Sequence, residues 1–349
     1  MDLTVDIEPT NRCNASCHFC PRDATPHQGL MTPDVFEQAL GRTIEYRDEV
    51  ATGFGWNMTV SLCGLGEPLL NRHVPTWVGA VKAAGFPCVM SSNGALLNQK
   101  RGDALLEAGL DQIMINVGEH DDAYEDIYKL PFEKTRDNIV RFAQDAGDDC
   151  EVLIVLVDHR GDRDHLREMV KYWKGHGLDQ FMFLDVMNRG GALFVDHMQY
   201  DEYPELAQAR TLLAERDSTP ACGAPFGYMF IGYDGKYYLC CSDWKKEVPM
   251  GTVHDRSLVD VTSQKLLHVM DRQVVCATCN LDPVNRITEG LRGAADGDDT
   301  IDTDALVDGV VASNGVVWGM LQQLEAHTDI DYAAADRAAG RTRIPVKIL

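Results

Sequence analysis

The chain has 349 residues, 45% hydrophobic and 25% charged, the balance of a globular protein long enough to bury a sizeable core. Lysine and arginine number 32 against 54 aspartates and glutamates, and the net charge of −22 argues against nucleic-acid phosphates or an anionic membrane surface as the main partner. No apolar run reaches the roughly 18 residues of a membrane span, and the opening Met1-Asp2-Leu3-Thr4-Val5-Asp6-Ile7-Glu8 has neither the basic nor the apolar stretch of a secretory signal, so a cytoplasmic protein is expected.

Along residues 1–200, short apolar runs alternate with amphipathic stretches. Strands are expected at 3–8, 58–62, 87–91, 112–117, 152–157 and 180–185, with helices at 32–48, 74–84, 98–108, 132–146 and 164–175. Thr32-Pro33-Asp34 offers a capping side chain followed by proline at the first helical position. Gly85, Gly109 and Gly177 stand where helices would stop. The alternation predicts an α/β fold with a parallel sheet covered by helices, and chemistry at the C-terminal strand ends.

Past residue 200 the rhythm changes. Apolar runs at 228–233 and 236–240 flank Asp234-Gly235, a hairpin signal, so a smaller antiparallel part is expected, followed by a helix at 258–272. The polar stretch 293–304 reads as a loop and 305–324 as a helix. The chain thus divides into a domain over 1–200, a second over 201–285 and a mostly helical extension over 286–349.

Eleven cysteines are many for a reducing compartment, where clustered thiols point to metal or catalysis rather than to disulfides. Three of them, Cys13, Cys17 and Cys20, share the loop after the first strand, Cys13-Asn14-Ala15-Ser16-Cys17-His18-Phe19-Cys20. A structural zinc site takes four ligands, and His18 is the nearby residue able to supply a fourth. A cubane iron–sulfur cluster held by three thiolates instead leaves one iron open to an outside ligand. The second group, Cys222, Cys240, Cys276 and Cys279, supplies four thiols, enough for a zinc ribbon or for a fully ligated cluster.

The first loop, with the aromatic Phe19 before its last cysteine, resembles that of the radical S-adenosylmethionine (radical SAM) enzymes. The resemblance implies a partial (β/α)6 TIM-like barrel and a [4Fe–4S] cluster on Cys13, Cys17 and Cys20 whose open iron binds the amino and carboxylate groups of S-adenosyl-L-methionine. It further implies reductive cleavage to a 5′-deoxyadenosyl radical that abstracts hydrogen from substrate, driven by an external one-electron reductant of the flavodoxin or ferredoxin type. Cys63-Gly64-Leu65-Gly66-Glu67 is similar to the family's Gly-Gly-Glu segment, with Leu65 in place of the first glycine, and puts Gly66 and Glu67 at the SAM amino group. Ser91-Ser92-Asn93-Gly94 resembles the family's Thr-Asn-Gly, which puts Ser92 and Asn93 near the SAM carboxylate or ribose. Phe19 joins the cofactor-binding set, Asn116 is a candidate ribose contact, and Arg189 in Asn188-Arg189-Gly190-Gly191 is a candidate catalytic residue.

The second cysteine group resembles the twitch module of the SPASM/twitch subfamily, a β-hairpin plus helix holding one auxiliary [4Fe–4S] cluster through Cys222, Cys240, Cys276 and Cys279, with Cys241 able to exchange with Cys240. No cysteine follows Cys279 to ligate another cluster. The resemblance runs over residues 3–280.

A fully ligated cluster does not bind SAM; it can receive an electron from a substrate radical. In this the chain resembles twitch enzymes of the 2-deoxy-scyllo-inosamine dehydrogenase type, which implies oxidation of a secondary alcohol on a small aminosugar, polyol or nucleoside. The alternatives are a redox-neutral epimerase or decarboxylase, a peptide-modifying maturase and a non-catalytic zinc protein. An epimerase needs a hydrogen donor, for which Cys63 and Cys241 are the candidates. Against a maturase stands the expected lack of a leader-peptide-binding segment before the first strand. Cys88 and Cys150 read as buried structural thiols, and Glu119, His120, Asp158 and Asp185 as capping or surface groups.

Overall fold

A computed structural model describes residues 2–22, 25–187, 200–270 and 274–327. The chain forms two compact units, Met1–Val186 with Tyr228–Arg256, and Met187–Gly227 with Ser257–Leu349. Among the described residues no helix is long and apolar enough to cross a membrane.

The first unit is built on strands β1 (Asp2–Ile7), β2 (Asn57–Leu62), β3 (Cys88–Ser92), β4 (Gln112–Asn116), β5 (Glu151–Asp158) and β6 (Phe181–Asp185), each paired in parallel with the next. Between them run helices α1 (Pro33–Tyr46), α2 (Val74–Ala83), α3 (Gln99–Glu107), α4 (Asp121–Tyr128), α5 (Phe132–Ala146) and α6 (Arg163–Gly175). The start signals act as expected: the side chains of Thr32, Asn98 and Asp162 accept from backbone N–H groups of the first turns of α1, α3 and α6. Gly85, Gly109 and Gly177 adopt φ of 83°, 83° and 85°, the left-handed conformation that ends α2, α3 and α6. This is the α/β fold with a parallel sheet core that the periodicity predicts.

The expected hairpin forms, but it is joined to the first sheet rather than standing apart from it. Its first strand, β7 (Tyr228–Ile231), pairs in parallel with the outer edge of β1, from Thr4↔Tyr228 to Ile7↔Ile231. It then turns back into β8 (Lys236–Tyr238), which pairs antiparallel with β7 on one side and with β9 (Pro249–Thr252) on the other. The sheet order is β6-β5-β4-β3-β2-β1-β7-β8-β9. The hairpin therefore continues the barrel sheet and covers the edge of β1 that would otherwise present unpaired backbone groups.

The two faces of the sheet differ chemically. Ile113 and Ile115 of β4, with Cys88 and Met90 of β3, are fully buried on the helix-covered face. Their neighbours Val89, Ser91, Met114 and Asn116 are half-buried on the other. Strand register carries that inner face across to Ser61 of β2 and Asp6 of β1. It is polar toward the C-terminal strand ends, with Asp6, Ser61, Ser91 and Asn116.

The second unit is helical, with α7 (Glu205–Glu215), α8 (Leu258–Met270), α9 (Pro283–Ala295) and α10 (Thr303–His327). Ala209, Leu213, Val284, Ile287, Leu291, Val307 and Val310 form its core. Helix α9 extends to Ala295, into the start of the stretch expected to be a loop. Asp282 caps it at Val284 and Asn285, and Pro283 sits in the first turn. Its glycines are contact points: a Cβ on Gly290 would strike Leu306, and one on Gly293 would strike Ile301.

Candidate active site

The loop bearing Cys13, Cys17 and Cys20 leaves the end of β1 and is held from several sides. Gly66 lies so close to the backbone of residues 10–12 that any Cβ would collide with the carbonyl of Arg12, and the N–H of Glu67 donates to that carbonyl at 2.8 Å. The glycine is thus required by the approach of two backbones. Arg22 donates to the carbonyls of Cys13 (3.1 Å) and Ala15 (2.5 Å), the N–H of Ser16 to Tyr128 O (3.1 Å), and the N–H of Cys20 to Cys17 O (3.1 Å).

The three thiols are half-exposed. Burial first, then the neighbouring Cys20 and Cys13, push the Cys17 thiol up to about 12. Sulfurs that oppose one another's ionisation are close together, and a cationic metal core removes that opposition. Among the described residues no group of three His, Cys, Asp or Glu side chains is spaced for a single metal ion. Three thiols carried on one loop can each ligate one iron of a single cluster.

Glu67 is 1% exposed. Its carboxylate accepts from Ser92 Oγ (3.0 Å), the backbone N–H of Asn93 (2.8 Å) and the N–H of Leu69 (3.1 Å). It ties the loop after β2 to the end of β3. Burial raises its carboxyl above the usual range, opposed by the donors from Asn93, Leu69 and Ser92. Asn93 in turn donates from Nδ2 to Asn14 Oδ1 at 2.9 Å and faces Cys13 Sγ at 3.8 Å. Ser92, Asn93, Gly66 and Glu67 are therefore gathered against the cysteine loop, while Asn116 stands on the inner face and donates to Ser91 Oγ at 2.9 Å. Arg189 and Asn188 lie outside the described residues.

A second network had no signal in the linear pattern. Phe19 stacks on His159, with ring centroids 5.1 Å apart and planes at 18°, and His18 meets the same imidazole edge-on at 5.2 Å. His159 follows β5, and its Nε2 lies 2.8 Å from Oε1 of Glu119 after β4. Arg160 Nε donates to the same oxygen at 2.7 Å, and His165 Nε2 is 3.1 Å from it. The Glu119 side chain is only 2% exposed. Expected to be a cap or surface group, Glu119 is a buried carboxylate that meets Arg160, His159 and His165. Burial lowers the His159 pKa, although Glu119 pulls the other way. His120 stacks flat on Tyr172 at 4.7 Å, and Asp158 accepts from the N–H of Asp162.

On the inner face, Cys63 donates from Sγ to Asp6 Oδ1 at 3.2 Å and accepts from Ser61 Oγ at 3.0 Å. Burial first, then the Asp6 charge, hold this thiol well above its ordinary pKa, with Cys241 adding to the effect. It is kept as a neutral S–H group. Cys88 and Cys150 are buried, as expected.

In the second unit, the N–H of Cys279 donates to Cys276 O (3.3 Å), that of Leu281 to Cys279 Sγ (3.4 Å), and Cys222 Sγ faces Leu281 O at 3.9 Å. Asn285, fully buried on α9, donates to the carbonyls of Cys276 (3.2 Å), Ala277 (3.1 Å) and Cys279 (2.9 Å). The short chain between the two cysteines is thereby wrapped around one amide, with Cys222 against the carbonyl of Leu281. This donor set fits a thiolate-held cluster. Cys240 and Cys241 belong to the first unit, just after β8.

Comparison with known proteins bears on both thiol groups. The Radical SAM superfamily matches residues 7–172, and SPASM, an iron-sulfur cluster-binding domain, matches residues 222–280. The GTP 3',8-cyclase of Synechococcus sp. is 39% identical over 118 residues, 31% of this chain and 31% of that protein. A cofactor-modifying protein for tungsten-containing aldehyde ferredoxin oxidoreductase, from Pyrococcus furiosus, is 29% identical over 112 residues, 32% of this chain and 29% of that one. The chain therefore spans less than a third of the length of these two relatives. A probable GTP 3',8-cyclase of Saccharolobus solfataricus matches at 26% identity over 236 residues, 65% of this chain and 71% of that protein. Among solved structures, anSMEcpe with bound AdoMet covers 94% of this chain and 100% of its own at 12% identity and a TM-score of 0.58. Streptococcus suis SuiB bound to precursor peptide SuiA covers 80% and 70% at 13% identity and a TM-score of 0.55. At such identities the likeness to solved structures is one of fold.

Proposed function

We propose that this chain, matched by the Radical SAM superfamily over residues 7–172 and by the SPASM iron-sulfur cluster-binding domain over residues 222–280, is a radical SAM enzyme that oxidises a secondary alcohol on a small polar substrate, an aminosugar, polyol or nucleoside. When bound, SAM and its cluster supply a hydrogen-abstracting radical, and the SPASM-domain cluster takes up the electron that the substrate radical loses. The observation that carries this reading is the gathering of Cys222, Cys276 and Cys279 around Leu281 and Asn285. An electron acceptor held by the protein gives oxidation an outlet that a redox-neutral reaction does not need.

On this reading Cys13, Cys17 and Cys20 hold the SAM cluster, and Gly66, Ser92, Asn93 and Phe19 frame the cofactor beside them. Glu67 acts mainly by fixing Asn93 and the β3 end, because its carboxylate is already met by three donors of its own chain. Asn116 and Asp6 present polar groups on the inner face, where a substrate hydroxyl has a carboxylate to take its proton. The relatives named GTP 3',8-cyclase favour the nucleoside among the substrate classes.

A redox-neutral epimerase is the second reading, favoured by one observation: Asp6 and burial keep Cys63 in the S–H form that can return a hydrogen atom to a carbon radical. The test is anaerobic turnover of candidate alcohols with SAM and a one-electron reductant, reading 5′-deoxyadenosine and product mass. A carbonyl product supports oxidation; a product isomeric with the substrate supports the second reading.

A further inference from the structure

Glu8, the residue after β1, is fully buried, and three donors converge on its carboxylate. The N–H of Leu65 reaches Oε1 at 2.9 Å, while the N–H of Tyr233 and the ammonium of Lys246 reach Oε2 at 3.1 and 3.3 Å. Lys246 lies in the turn between β8 and β9, with its side chain only 7% exposed. Its Nζ stands 4.4 Å from the ring centre of Phe230 and 4.1 Å from that of Tyr238, so two aromatic rings and one carboxylate meet the charge. The turn aims the side chain inward. Lys246 takes a φ of 59°, in the left-handed region that a non-glycine residue rarely enters. The N–H groups of Glu247 and Val248 beyond it are each held at 2.9 Å by the buried carboxylate of Asp243.

On its other side Glu8 supports the loop after β2. A Cβ on Gly64 would strike the Glu8 side chain. The Leu65 N–H held by Glu8 comes two residues before the Glu67 N–H held by Arg12 O. The backbone around Gly66 is thus pinned twice, once by the cysteine loop and once by Glu8. Among the described residues Lys246 is the cation in ion-pair contact with that carboxylate, and removing one member of a buried pair strands the other charge. We propose that Lys246 is a positioning residue for SAM: by fixing the Glu8 carboxylate, it sets the Leu65-Gly66-Glu67 backbone against the cofactor. This rests on the reading that Gly66 and Glu67 stand at the SAM amino group, and it gives the turn after β8 a part in shaping that site.

The test uses the full reconstituted chain. Hydrogen–deuterium exchange over residues 63–70 is read without SAM, and SAM affinity by equilibrium titration. Lys246→Met should speed exchange in that segment, leave residues 132–146 of α5 unchanged, and weaken SAM binding about tenfold, the size of coupling met within one network. Lys246→Arg keeps the charge and should stay near wild type in both readings. Glu8→Gln and Glu8→Gln/Lys246→Met complete the cycle. The pair acts as a unit, and the double variant strands no charge, so it should bind SAM no more weakly than Lys246→Met alone. Wild-type exchange and affinity in Lys246→Met, or a double variant whose loss is the product of the two single losses, overturns the inference. Should Lys246→Met lose its fold, seen as faster exchange over 132–146, Glu8→Gln and Lys246→Arg decide: the first must loosen residues 63–70 and weaken SAM binding, and the second must do neither. Loosening at 63–70 with unchanged SAM affinity would leave the brace in place but overturn its role, because Gly66 and Glu67 would then not stand at SAM.

Discussion

The Glu67 carboxylate accepts the backbone N–H of Asn93 at 2.8 Å, and this bond joins the loop after β2 to the end of β3 directly beside the cysteine loop. It makes Glu67 a brace of the site, with two consequences that can be measured. Glu67→Ala leaves the donors of Ser92, Asn93 and Leu69 without their acceptor in a buried place, at about 1–3 kcal/mol for each left unsatisfied. The expected outcome is a clearly lower Tm together with weaker SAM binding, followed by thermal unfolding and equilibrium titration. The sign of the pH dependence is also set. Burial raises the folded-state carboxyl above 4.5, so its contribution to stability is greatest below that value and is lost as pH rises through the folded pKa. A Glu67→Gln variant should lack that slope.

Cys63 should titrate abnormally. Its thiol is held up by burial and by Asp6, so alkylation of Cys63 by iodoacetamide should stay slow at pH 9. Asp6→Asn removes the nearby negative charge, lowers the thiol pKa and should speed that alkylation several-fold, because the reactive thiolate fraction grows as the pKa falls while the thiol is mostly protonated. Mass spectrometry of the Cys63 peptide reads the rate. Equal rates in the two proteins would show that Asp6 does not control the thiol.

His159 should matter to SAM although it lies outside the cysteine loop. His159→Ala removes the ring stacked on Phe19, an interaction of about 0.5–1.5 kcal/mol, and should weaken SAM binding by several-fold. His159→Phe keeps a ring against Phe19 and should retain much of the affinity. Glu119→Gln should fall between them. Titration of SAM into the three reconstituted variants decides the order.

Much of the fold is legible in the chain because its signals are local. Strand periodicity, the Thr32-Pro33 start and the glycine stops depend on neighbours a few residues away, and the structure places those elements within a residue or two of expectation. The cysteine loop and the Gly66-Glu67 segment are legible for the same reason. What escapes is set by distant partners. The parallel pairing of β7 with β1 sets Thr4 opposite Tyr228, far apart in the chain, and nothing in either strand announces the other. Glu119 gains its role from His159 and His165, which approach only when β4 and β5 lie side by side. The end of helix α9 is hidden by Gly293, which reads as a loop residue until Ile301 fills the space above it.

The two iron–sulfur groups should be separable. Anaerobically reconstituted protein should carry about eight irons, and Cys13→Ala/Cys17→Ala/Cys20→Ala about four. Cys276→Ala/Cys279→Ala should still cleave SAM to 5′-deoxyadenosine, because the first cysteine loop and its braces lie wholly in the other compact unit, yet should form little product. Parallel loss of both activities in a folded variant would speak for a purely structural second cluster.

The claim that electrons leave the substrate is tested most directly by turnover in deuterated water. Aminosugars, polyols and nucleosides are incubated anaerobically in turn with the enzyme, SAM and a one-electron reductant, and the products are weighed by mass spectrometry after exchangeable deuterium is washed out. Oxidation predicts a carbonyl product lighter than its substrate by two hydrogen atoms, free of solvent deuterium and formed with an equal amount of 5′-deoxyadenosine. A product that keeps the substrate's composition and carries one non-exchangeable deuterium contradicts it, and would identify Cys63 as the donor if Cys63→Ala abolished that incorporation.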